Sequence, residues 1–211
     1  LAVTAPAPLV LLTEMQAIPS INASNPDAVI LPCLSANDLR GVIQCIRDGD
    51  PQFKQFKTLV IDSLTEAQRL IKDDILKSSR RTQMQMQDWG RLADSTRGLI
   101  RSLRDLHLNV VCTALMEHET EENSGKRFVN PIFEGRKTNK EIAQWFTIIG
   151  CLYRKNTKQE SGTTVAQRHL MLDGAETILC KTTPPLDGVL IDTNLTTVFS
   201  QIHNHRKPSS K

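Results

Sequence analysis

The sequence predicts an α/β protein: a mostly parallel sheet flanked by helices, with an antiparallel extension toward the C-terminal end. Three features carry this. Leu9–Leu12 and Leu59–Ile61 are short, unbroken apolar runs, the signature of strands buried on both faces. Amphipathic helical patterns alternate with such runs through the first two-thirds of the chain, as in crossover-connected parallel strands. From about Thr147 onward, strand-like segments follow one another with little helix between them, which reads as a meander.

The elements follow in order. The opening Leu-Ala-Val-Thr-Ala-Pro-Ala-Pro reads as a helix tail and a Pro-bearing turn leading into a strand at Leu9–Thr13. A chain rarely begins so near a core strand, so a segment upstream of Leu1 is expected. A polar, Pro-containing loop and a short strand near Ala28–Leu31 come next. Ser35 is a candidate cap for a helix whose stripe is Leu39, Val42, Ile43 and Ile46, stopped by Gly49-Asp50-Pro51. After the strand ending at Asp62, Leu64, Ala67, Ile71 and Ile75 mark a second helix. Lys77–Gln87 is polar and basic. A third helix is expected over Asp88–His107, then a strand at Val110–Ala114. Glu117–Lys140 is a long polar segment, a length that usually signals function or mobility. A short helix at Ile142–Phe146 precedes strands near Thr147–Tyr153, Val165–Leu172 and Thr177–Cys180. Leu195, Val198, Phe199 and Ile202 give a last helix, and a basic tail follows.

Composition fits one soluble domain. The 211 residues are 39% hydrophobic and 23% charged, enough for a full core and ordinary for a globular protein. The formal charge of +3 excludes a globally basic surface, so nucleic-acid binding would depend on local basic loops. The apolar runs are strand-sized and no signal peptide is visible, so membrane association is not expected and a cytoplasmic location is. Cys33, Cys45, Cys112, Cys151 and Cys180 form no CxxC pair and read as reduced thiols. Asn22-Ala-Ser24 and Asn194-Leu-Thr196 match the glycosylation pattern by chance on this reading.

The chemistry is expected at strand ends. Lys57-Thr58-Leu59-Val60-Ile61-Asp62-Ser63 has the form of a Walker B strand, in which the Asp holds a Mg²⁺-bound water beside a nucleotide phosphate. An Asp that merely caps the following helix is the plain alternative. Thr13-Glu14 and Thr113-Ala114 end two other strands, and carboxyl ends lie side by side in doubly wound sheets. A Glu beside a metal-binding Asp can orient water for attack on a γ-phosphate, and a neighbouring hydroxyl can sense that phosphate. Taken singly, Glu14 reads as a solvated loop carboxylate and Thr113 as an ordinary strand residue; together with Asp62 they read as a site.

These stretches carry a resemblance. Leu1-Ala2-Val3-Thr4-Ala5-Pro6 running to Leu12-Thr13-Glu14, the Asp62 strand, Trp89-Gly90-Arg91-Leu92, Asn109–Ala114, Phe133-Glu134-Gly135-Arg136-Lys137 and Ile149–Arg154 together resemble phage-encoded nucleotide-binding proteins of the RecA-like ATPase class, relatives used in single-strand annealing and recombination. The resemblance covers nearly the whole chain. It implies a RecA-like P-loop NTPase core over residues 1–203 and a basic tail at 204–211. It further implies ATP and Mg²⁺ as cofactors, homo-oligomerisation as a ring or filament, single-stranded DNA as partner, and a phage-infected bacterial host. By position Asp62, with Ser63 beside it, matches the Walker B aspartate and Glu14 the water-activating glutamate. The segment after Thr113 falls where such proteins couple nucleotide to DNA.

One departure stands out. The sole Gly-Lys pair, in Ser124-Gly125-Lys126-Arg127, lacks the upstream Gly and the following Ser or Thr of a P-loop. In the resembling proteins that loop ends just where this chain begins, so truncation is the expected cause, and tight ATP binding by the chain alone should fail.

By the same resemblance, Lys77–Gln87 and Glu119–Lys140 fall at the places of the two DNA-facing loops of RecA-like proteins. Arg80, Arg81, Lys126, Arg127, Arg136 and Lys137 are candidates for phosphate contacts, and Phe128 and Phe133 for base stacking. Solvated loops are the alternative, and Glu119, Glu121 and Glu122 weaken the electrostatic case. Arg154 and Lys181 are candidates to reach a neighbouring subunit's phosphate, or else are surface charges. His203-Asn204-His205 is too closely spaced for an HNH nuclease. The expected function is an ATPase acting on single-stranded DNA in recombination or annealing. The alternatives are a helicase or packaging motor, or a DNA-binding or scaffold module without nucleotide chemistry.

Overall fold

The two apolar runs form neighbouring central strands of a parallel sheet. β1 (Pro8–Leu12) lies beside β3 (Thr58–Asp62); β2 (Val29–Pro32) flanks β1, and β4 (Asn109–Cys112) flanks β3, in the order β2-β1-β3-β4. The computed structural model describes residues 1–122, 125–158, 163–174, 177–183, 186 and 188–206. All five residues of β1 and the first four of β3 are buried, which is why both read as unbroken apolar runs.

Helices cover the sheet. Val10, Leu12 and Val60 pack with Val3, with Ile21 of α1 (Ile18–Ser24), and with Ala28 and Ile30. Leu9, Leu11, Leu59 and Ile61 alternate with these and face the other way. α2 (Ala36–Arg47), α3 (Leu64–Ser78) and α4 (Met86–Arg104) pack against one another and bury Leu39, Ile43, Leu64, Ile71, Leu92 and Leu103. Ser35 caps α2, accepting from the Asp38 amide at 3.1 Å, as its sequence position predicts. α1 occupies the stretch expected to be a loop. Its seven residues are too few to show a helical stripe, and Pro19 sits in the first turn, where its missing N–H costs nothing.

The chain groups into two compact units: residues 2–116 with 131–142, and residues 117–130 with 143–211. The first holds the parallel sheet. The long polar segment contains a two-stranded pair, β5 (Met116–Thr120) with β6 (Arg127–Pro131). α5 (Arg136–Trp145) begins well before the expected Ile142, directly after Gly135, whose φ of 91° suits glycine. In the second unit β7 (Cys151–Lys158), β8 (Thr164–Met171) and β9 (Val189–Ile191) form the expected antiparallel sheet, and α6 (Leu195–Arg206) follows. The strand expected at Thr177–Cys180 is reduced to isolated bridges, Ile178 with Val129 and Lys181 with Ile149. Residues 207–211 of the expected basic tail, and Ser124, lie outside the described residues. Among the described residues no helix is long and apolar enough to cross a membrane.

Candidate active site at the carboxyl ends of the parallel strands

Register decides which residues meet. Leu12 lies opposite Asp62, and Ile61 opposite Cys112, so β1, β3 and β4 end level with one another. The Thr113 hydroxyl donates to Asp62 Oδ1 at 2.5 Å. Its amide donates to the Ile61 carbonyl at 3.0 Å, and its carbonyl accepts from the Leu64 amide at 2.7 Å. Thr13 closes the other side. Its amide and hydroxyl both donate to the Asp62 carbonyl, at 2.9 and 3.0 Å, and its Oγ1 accepts from the Ser63 amide at 2.8 Å. The Asp62–Ser63 peptide is cis. Asp62 is thereby fixed from both neighbouring strands, while it stays partly open to solvent.

Glu14 follows Thr13 directly and is also partly exposed; its carboxylate accepts from Gln16 Nε2 at 2.7 Å. The strand ends thus bring Glu14, Asp62, Ser63 and Thr113 to one edge of the sheet. Ser63 is buried, and its hydroxyl accepts from the Glu66 amide at 3.2 Å as the cap of α3. That hydroxyl caps the helix while its own proton stays free to donate, and the carboxylates of Asp62 and Glu14 are the partly exposed groups beside it. Burial pushes the thiol of Cys112, just before Thr113, up to about 12, so it stays neutral at physiological pH.

The donor set bears on Mg²⁺. Among the described residues no group of three or more His, Cys, Asp or Glu could hold a metal ion. Asp62 offers one carboxylate, with Oδ1 already engaged by Thr113. This fits a Mg²⁺ that keeps most of its waters and meets the protein through one carboxylate and the substrate phosphates. It does not fit an all-protein cage.

Two buried polar residues that shape the rim of the site escape the sequence reading. Thr65 and Gln68, in the first and second turns of α3, are buried at 3% and 2% exposure. The Thr65 hydroxyl donates to the Ile132 carbonyl at 3.1 Å and accepts from the Leu115 amide at 3.1 Å. The Gln68 side chain pairs with both backbone groups of Glu134, at 2.7 and 3.1 Å, and Lys72 meets the Glu134 carboxylate at 2.7 Å. Both ends of the polar segment after Thr113 are therefore tied to the helix that Ser63 caps. The available signal was polar residues adjoining the Leu64, Ala67, Ile71 and Ile75 stripe of α3.

The candidate DNA-contacting residues divide. Arg80, Lys126 and Arg127 are exposed, and Phe128 is half-buried. Arg81 donates to Asp88, a fully buried carboxylate, at 2.9 Å. Its guanidinium therefore holds the start of α4, where Asp88 also accepts from the Gln85 amide at 3.0 Å. Phe133 corrects the stacking expectation: it is buried at 5% exposure, so its ring offers no face to a base. Arg136 and Lys137 open α5, and their side chains lie outside the described residues. Lys181 Nζ donates to the Ala143 carbonyl at 3.2 Å within its own unit, and Arg154 is exposed on β7.

A family profile described as an AAA domain matches residues 1–183, most of the chain and every strand of the parallel sheet. Comparison with curated proteins gives no match. The match and the strand-end geometry agree on a nucleotide-binding ATPase fold, and the chain belongs to the AAA domain family.

Proposed function

We propose that the protein is an ATP-hydrolysing, RecA-like phage protein that acts on single-stranded DNA in recombination or strand annealing. The observation that carries the nucleotide part is the Asp62–Thr113 hydrogen bond at the shared edge of β1, β3 and β4, with Glu14 at the end of β1. When Mg-ATP is bound there, the metal supplies charge neutralisation at the phosphates. Asp62 would hold the Mg²⁺ through its waters, with Thr113 fixing its carboxylate and Thr13 its backbone carbonyl. Glu14 orients the attacking water. The DNA part rests on the resemblance and on Arg80, Lys126, Arg127 and Phe128 in the two polar segments.

The test compares two variants in a chain carrying a Walker A segment ahead of Leu1. Glu14→Gln is expected to keep Mg-ATP binding and to lower hydrolysis by roughly 10²–10⁴-fold, because a group that only positions water acts in the transition state. Asp62→Ala is expected to weaken Mg-ATP binding as well. Equal loss of binding in both would sink the division of roles. Hydrolysis coupled to duplex unwinding would point to a motor instead.

A further inference from the structure

The antiparallel sheet carries a charge arrangement that the strand-end site does not use. Arg154, Asn156, Lys158, Thr164, Ala166 and Arg168 are exposed on one face of β7 and β8; on the other Tyr153, Thr157, Val165 and Gln167 are half-buried and His169 is buried, with Lys155 the exposed exception. The first set shares its face because the register pairs Arg154 with Arg168, Asn156 with Ala166 and Lys158 with Thr164. Neither strand contains an Asp or Glu. Two arginines directly opposite each other across an antiparallel pair repel and destabilise the sheet. The counter-charge present is Asp192. It reaches the Arg168 guanidinium at 4.0 Å, and its Oδ1 already accepts from the Arg168 amide at 2.9 Å. Arg154 and Lys158 make no ion pair among the described residues.

We infer that this face of β7 and β8 binds the phosphate backbone of single-stranded nucleic acid. The inference rests on the single-strand reading above and adds to it a surface outside the two polar segments. A polyanion resolves the Arg154–Arg168 repulsion, which Asp192 relieves at Arg168 alone, leaving Arg154 without a counter-charge among the described residues. Arg154 and Lys158 are four residues apart, about 13 Å along an extended strand. That spread suits a backbone running along the hairpin better than one compact anion. Asn156, Thr164 and Ala166 leave low, uncharged ground between the cations. The face has no aromatic ring, so its binding is expected to be electrostatic and indifferent to sequence.

The test uses the whole 211-residue chain and a fluorescein-labelled oligothymidylate, with anisotropy titrations at several salt concentrations. Combined Arg154→Gln, Lys158→Gln and Arg168→Gln should weaken binding. It should also lower the slope of log affinity against log salt by about 2, at roughly 0.7 per phosphate contact. Arg154→Gln alone should weaken binding yet raise Tm, because it removes the like-charge pair; a purely structural residue would lower both. A wild-type slope in the triple variant, with binding still reduced by Arg80→Gln, overturns the hairpin surface and leaves the single-strand reading standing. No binding by the wild-type chain overturns both.

Discussion

The two sheets solve the same problem in opposite ways. In the parallel sheet β1 and β3 are covered on both faces, so no side chain along them meets water and chemistry is confined to their ends. In the antiparallel sheet β7 and β8 keep one face in solvent, so chemistry spreads along the strands themselves. A buried sheet presents a point where carboxyl ends converge, suited to a compact phosphate and its metal. A half-solvated sheet presents a line, suited to a polymer. The difference follows from connection type. Crossover helices bury a parallel sheet, whereas a hairpin needs no cover on its second face.

The largest expected effect contrasts one substitution in each sheet. Leu59→Ala removes a fully buried side chain from the centre of β3 and is expected to cost about 2–5 kcal/mol. Leu152→Ala, at a position 44% exposed on β7, is expected to change stability by no more than about 0.5 kcal/mol. Urea unfolding of the two variants measures this. Comparable losses would mean that the exposed face of β7 is covered in solution, and the contrast between the sheets would fail.

The same contrast explains what the sequence made legible. Leu9–Leu12 and Leu59–Ile61 declare themselves because double-sided burial leaves no room for polar residues. Asp62, Thr113 and Glu14 could be grouped because strand ends in such a sheet share an edge. β9 was missed because three residues, Val189–Ile191, are too short to show alternation. The β5–β6 pair was hidden by its polar composition, since a two-stranded ribbon with exposed residues such as Glu119 and Lys126 needs no apolar run. Thr65 and Gln68 drew no notice because their partners are backbone groups of the distant polar segment, which only the fold brings against α3. Phe133 failed as a stacking candidate for a related reason: an aromatic in a polar segment can anchor the segment to a core as well as meet a base.

A middle-sized effect tests that anchoring. Gln68→Ala leaves the part-buried amide and carbonyl of Glu134 without their side-chain partner, at an expected cost of about 1–2 kcal/mol. Hydrogen exchange should report faster exchange at the Glu134 amide, with β1 and β3 still protected. Unchanged protection at Glu134 would show that the Lys72 ion pair suffices to hold this end of the segment.

The smallest effect concerns Arg80 and sharpens the comparison from the other side. α3 ends in a Schellman-type turn: the Arg81 amide donates to the Leu76 carbonyl at 2.9 Å and the Arg80 amide to Lys77 at 3.0 Å. Arg80 holds the left-handed position of that turn, with φ at 52°, where glycine is usual. A left-handed conformation costs an L-residue about 1–2 kcal/mol. Glycine removes that cost but adds about 0.4–1 kcal/mol of freedom to the unfolded chain. Arg80→Gly is therefore expected to raise stability by about 0.5–1 kcal/mol, read as a higher Tm. If Arg80 meets a phosphate, the same variant loses one contact, and its salt slope on single-stranded DNA falls by roughly 0.7. Arg80 would then parallel Arg154, each held against a local penalty: backbone strain in one unit, like-charge repulsion in the other. A variant that gains stability with an unchanged slope would separate them, leaving Arg80 as a tolerated helix cap and the hairpin arginine as the residue held for a ligand.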